Sequence, residues 1–76
     1  IRLYPNLVKD HLHIETEENL LPINLEIINI YGTVLRTETL ISKATCLPLS
    51  GLGSGIYVAR MSSQDNQFNR KFLVLK

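Results

Sequence analysis

The sequence has little of what usually carries chemistry. It has no tryptophan, and its aromatics are three tyrosines and two phenylalanines, poor material for a base-stacking platform. The formal net charge is +1, so nothing points to nucleic acid or to an acidic substrate as partner. Cys46 is the single cysteine, which excludes an intrachain disulfide and a cysteine zinc site. Four glycines and three prolines fall well short of a disordered or fibrous composition. No apolar run is long enough to read as a signal peptide or a membrane helix.

What remains is an ordinary globular composition, 45% hydrophobic and 20% charged over 76 residues. That length is expected to make one domain with a thin core and a net stability of roughly 3–5 kcal/mol. The chain opens at Ile1 without an initiator methionine. It is therefore expected to be a piece cut from a larger protein.

The dominant signal is alternation of apolar and polar residues, the period of a half-buried strand. Ile1–Tyr4 is a short extended run that Pro5 ends, and Asn6 reads as a turn. His11–Glu15 alternates, with Leu12 and Ile14 on one side. Thr16–Pro22 is expected to be a connection, with a single helical turn over Glu17–Leu21 as the alternative. Ile23–Ile30 changes phase within one run, which predicts burial of both faces at its end or a bulge. Tyr31-Gly32 then signals a hairpin into Thr33–Thr39. Thr45–Leu49 reads as a strand that Pro48 confines to a sheet edge.

The strongest strand signal comes after a glycine-punctuated turn. Gly53 and Gly55 can adopt positive φ at no steric cost, and Ile56, Tyr57 and Val58 suit a pleated surface. That strand runs to Ser62, turns through Ser63–Asn66, and returns as Gln67–Lys76. In this last strand Phe68, Phe72 and Val74 share a side with Arg70; Leu73 and Leu75 share the other with Asn69 and Lys71. The sum is an all-β chain, a seven-stranded antiparallel immunoglobulin-like β-sandwich, with a small closed barrel as the alternative.

No constellation supports catalysis. His11 and His13 lie about 7 Å apart along one strand face with Glu15, but no further ligand converges on them, and they read as solvent-facing. Cys46 reads as a small buried hydrophobe rather than a nucleophile. The carboxylates read as a solvated surface. Gly51, Gly53 and Gly55 precede a strand, whereas a phosphate-cradling loop needs a helix behind it. An adhesive or carbohydrate-binding module would be expected to show an aromatic platform or an acidic calcium loop, and neither is evident.

The order of four motifs carries a resemblance. They are Tyr4-Pro5-Asn6 with Val8-Lys9-Asp10, Leu25–Gly32 followed by Val34, Leu49–Val58 around Gly51, Gly53 and Gly55, and Lys71–Lys76. Together they are similar to the C-terminal sorting domain of the type IX (Por) secretion system of Bacteroidetes. The resemblance covers essentially the whole chain. Two departures stand out: Leu7 replaces the second proline of the family's Pro-Asn-Pro, and Asn29 stands where the family has aspartate.

The resemblance implies an immunoglobulin-like sandwich spanning residues 1–76 at the end of a larger cargo protein. It implies a non-enzymatic, cofactor-free secretion signal. The cargo would fold in the periplasm and cross the outer membrane to the cell surface or beyond. The implied partners are the type IX outer-membrane translocon, its shuttle proteins, and a gingipain-like surface cysteine peptidase acting as a sortase. That peptidase would remove the domain and couple the cargo to lipopolysaccharide. Self-association through edge strands is a further expectation. The residues expected to meet the machinery are Arg70, Lys71, Phe72, Leu73, Val74, Leu75 and Lys76. Pro5, Asn6, Gly32, Gly53, Gly55 and Tyr57 are expected to shape the domain that presents them.

Overall fold

Alternation places the strands, and a computed structural model describes all of them, over residues 1–76. Eight strands are present, where the sequence predicts seven: β1 (Arg2–Tyr4), β2 (Leu7–Val8), β3 (His11–Glu15), β4 (Ile23–Ile28), β5 (Val34–Leu40), β6 (Ala44–Pro48), β7 (Gly55–Ser63) and β8 (Asn66–Val74). The additional strand is β2. Two residues are too few for an alternating pattern to show in sequence.

The strands form two sheets, β1-β3-β6 and β2-β8-β7-β4-β5. All pairings are antiparallel except β2 with β8, which is parallel. That parallel pair corrects the wholly antiparallel expectation. It forms because β2 reaches the outer side of β8 from the other end of the chain.

One apolar cluster joins the sheets. Leu12, Ile14 and Leu47 come from the three-stranded sheet; Ile23, Leu25, Ile27, Leu40, Tyr57, Ala59, Met61, Phe72 and Val74 come from the five-stranded one. Each leucine, isoleucine, valine, methionine or phenylalanine side chain so buried contributes about 1.5–3 kcal/mol. Alternation leaves the opposite residues outside: Ser62 and Asn69 are exposed, and Arg60 lies against Glu26, its Nε donating at 2.8 Å.

Local chemistry sets the turns. Asn29 Oδ1 accepts from the Tyr31 and Thr33 amides at 3.0 and 2.9 Å, an Asx-type closure of the β4–β5 hairpin. Gly32 completes it at φ 83°, a left-handed position that glycine adopts without strain. The phase change in Ile23–Ile30 reflects burial of both faces at the end of β4, where Ile27 and Ile28 are both buried; a register shift against β5 falls beside them, with Leu35 of β5 as the additional residue. The Glu17–Leu21 segment contains a single 3-10 turn, Glu18–Leu20, closer to the alternative than to a plain connection. The buried Ser63 hydroxyl donates to the Leu20 carbonyl and ties that turn to β7.

Pro48 lies in β6, an edge strand of the three-stranded sheet, as its missing N–H requires. Cys46 corrects the sequence reading: it is exposed on β6, opposite His13. Leu47 takes the inward position of that strand, so its neighbour must point out. Gly53 is a second correction. Gly51 and Gly55 have positive φ, at 93° and 157°, and Gly53 does not.

Candidate functional site

The C-terminal strand is where the sequence motifs meet. Val74 lies opposite Gly55 and Phe72 opposite Tyr57 in the β7–β8 ladder. On the other side, β2 pairs Leu7 with Leu73 and Val8 with Val74. The Leu73 amide donates to the Asn6 carbonyl, and the Leu75 amide to the Val8 carbonyl, each at 2.9 Å. Beyond β8, the Lys76 amide donates to Ser54 Oγ at 2.9 Å, and Lys76 Nζ donates to the Leu49 carbonyl at 3.3 Å. The Pro5-Asn6 turn, the glycine-rich loop and the chain end thus form one connected corner.

Tyr57 fixes the geometry of that corner. Its ring stacks on Phe72 with centroids 5.8 Å apart. Its hydroxyl donates to the Gly53 carbonyl at 2.7 Å. A tyrosine at the start of a strand, bonded back to the backbone four residues upstream, braces the turn that precedes it. Gly53 contributes a carbonyl, and Gly55 a φ of 157°, a backbone region essentially reserved for glycine.

The seven C-terminal residues divide by exposure. Phe72 and Val74 are 3% and 0% exposed and belong to the core. Arg70, Lys71, Leu73, Leu75 and Lys76 are at the surface. Of the structural set, Pro5 and Asn6 are exposed at the mouth of β2, and Gly32 sits in the β4–β5 turn.

An apolar groove opens beside these surface residues, lined by Asn6, Leu7, Ile56, Lys71, Phe72 and Leu73. Leu7, Leu73 and Ile56 form one cross-strand row on the outer face, 47%, 41% and 47% exposed. Sequence reasoning missed Leu7 and Ile56 as surface features. The available signal was an apolar residue at one outward position near the end of each alternating strand: Ile56 in β7 and Leu73 in β8.

The histidine face assembles differently. His13 stacks on Tyr4 with centroids 5.2 Å apart, and the Arg2 guanidinium lies 4.6 Å over the Tyr4 ring. The Tyr4 hydroxyl donates to Glu15 Oε2 at 2.8 Å. That bond, reinforced by burial and the carboxylate charge and partly offset by Arg2, raises the Tyr4 pKa above the ordinary tyrosine value. No group of three or more metal-ligating side chains is gathered here or elsewhere in the chain. Of the carboxylates, Glu15, Glu17, Glu26 and Glu38 each pair with a cation.

A family model described as a secretion system C-terminal sorting domain matches residues 2–75, nearly the whole chain. No curated protein and no solved structure matches it.

Proposed function

Because the chain belongs to the family of C-terminal sorting domains of the type IX secretion system, we propose that residues 1–76 are a single export domain borne at the end of a larger cargo protein. The family consists of sorting signals rather than catalysts, and its membership implies export to the cell surface or secretion. The match over residues 2–75 is the observation that carries this reading.

The finer steps follow as our proposal. The source is a member of the Bacteroidetes. The cargo folds in the periplasm and is delivered by shuttle proteins to the outer-membrane translocon. A gingipain-like surface cysteine peptidase then removes the domain and joins the cargo to lipopolysaccharide. The domain is an immunoglobulin-like sandwich, a reading supported by two sheets around one core and by the Tyr57–Gly53 brace at the start of β7.

Recognition must serve cargos of any fold, so it reads this domain's own surface. Arg70, Lys71, Leu73, Leu75 and Lys76 supply that surface, and Phe72 and Val74 anchor it from the core. Pro5, Asn6, Gly53, Gly55 and Tyr57 hold it in place, and Gly32 shapes the β4–β5 turn at the far edge of the sheet.

The test is to fuse residues 1–76 to a folded periplasmic reporter in hosts with and without the type IX machinery. Surface display only where the machinery is present is the expected result. Retention of the reporter in the periplasm of both hosts, or display in both, overturns the reading. Deleting Phe72–Lys76 is a poor probe, because it removes two core side chains along with the surface. Paired Arg70→Ser and Lys71→Ser substitutions test the surface alone.

A further inference from the structure

The five-stranded sheet has two edges, β5 and the β2/β8 side, and they are protected differently. β5 turns two charges inward, Arg36 and Glu38, opposite the buried Ile27 and Leu25, a recognised defence against strand addition. Arg36 is held there by Glu38 and by the Pro48 carbonyl of the other sheet. At the opposite edge, β2 covers only Leu73 and Val74 of β8. The Leu73 and Leu75 amides point toward β2. By strand alternation the backbone groups of Gln67, Asn69 and Lys71 point the same way, into a lane that no strand fills.

Protection of that lane is slight. The Arg70 guanidinium donates to the Asn69 carbonyl at 3.0 Å. Arg70 and Lys71 take part in no ion pair, whereas four carboxylates of the chain are paired elsewhere. Where the open lane meets β2 lies the apolar groove of Leu7, Ile56 and Leu73, with Lys71 on its wall.

We propose that the uncovered part of β8, Gln67–Lys71, is a docking edge for an extended acidic protein segment of about five residues, which adds as a strand in line with β2. This deepens the export reading and rests on it, by naming the partner's chemistry. Backbone pairing with Gln67, Asn69 and Lys71 supplies the affinity. A carboxylate of the segment takes the Arg70 guanidinium and so releases the Asn69 carbonyl. An apolar side chain at the segment's end fills the Leu7–Ile56–Leu73 groove. Such pairing is independent of cargo, and the unpaired cations select an acidic partner.

Two arms test it. In the exporting host, reporter fusions carry Asn69→Pro or Asn69→Ala. Proline removes an outward N–H that the β7 ladder does not use, and alanine removes only the side chain. The wild type and Asn69→Ala are expected at the surface, and Asn69→Pro is expected to fall about tenfold or more with a melting temperature near wild type. Wild-type display of Asn69→Pro overturns the docking edge and leaves the export reading standing. Failure of the wild-type fusion to be displayed overturns the export reading instead.

The second arm needs neither export nor a variant. Amide exchange at Gln67, Asn69 and Lys71 is measured on the wild-type chain with a peptide alternating valine and glutamate, and with one alternating valine and lysine. Slowing of about tenfold or more by the glutamate peptide alone is expected. Equal effects of both peptides, no slowing, or slowing only by phosphatidylglycerol vesicles overturns the proposal.

Discussion

Along β8, Leu73 and Val74 lie between two neighbouring strands, and Phe72 and Val74 point into the core. Asn66–Lys71 has a neighbour on one side only, and of its core-facing residues Phe68 is half-buried and Arg70 is exposed. The two halves share one strand and one ladder to β7, yet one is a structural clamp and the other is surface. The difference lies in what packs against them rather than in their strand propensity. One strand can therefore hold a domain together with one half and leave the other half open to solvent.

The sharpest way to break this contrast is to remove a clamp side chain. Phe72→Ala is expected to cost about 3–5 kcal/mol, comparable to the whole stability of a domain this size. Urea unfolding should show a chain that is unfolded or nearly so, whereas Gln67→Ala should stay within about 0.5 kcal/mol of wild type. Equal losses at the two positions would erase the distinction. Gly55→Val comes next. Forcing a β-branched residue to φ 157° where β7 begins is expected to cost about 1–3 kcal/mol, read as a lower urea midpoint. An unchanged midpoint would mean that the turn relaxes freely.

A smaller effect is expected from Tyr57→Phe, which keeps the stack on Phe72 and removes the hydroxyl bond to Gly53. The loss should be about 0.5–1.5 kcal/mol, accompanied by faster amide exchange in the Gly51–Gly55 loop. The smallest effect lies far from β8 and serves as its control. Tyr4 has a raised pKa, chiefly because its hydroxyl donates to Glu15. The stabilisation from that bond is present below the ordinary tyrosine value and is lost as pH rises through the Tyr4 value. A phenolate absorbance titration should show one tyrosine ionising late, and Glu15→Ala should bring it down. Display of a fused reporter should be indifferent to that substitution.

Much of the architecture was legible in the chain because alternation is a local property. Leu12 and Ile14, Leu47 and Leu49, and Phe72 and Val74 all face the core as their spacing requires. Pro48 marks an edge, and the phase change near Ile27 marks the place where β4 is buried on both faces. Cys46 was misread because an apolar-looking neighbourhood hides which of two adjacent residues points inward. β2 was missed because two residues carry no period. The role of Gly53 was misplaced because composition identifies a turn without saying which residue takes the left-handed φ.

The sequence by itself determined an all-β chain, the approximate limits of its longer strands, which residues of β3 and β8 share a side, and through the order of its motifs a family of sorting domains. All of these rest on short-range pattern. Only the tertiary structure decided that Leu7–Val8 lies parallel to the end of β8, that the Asn6 carbonyl meets the Leu73 amide, and that Gln67–Lys71 keeps an open side. Those contacts join residues more than sixty positions apart. Their pairing depends on how two sheets close around a common core, which no local spacing records.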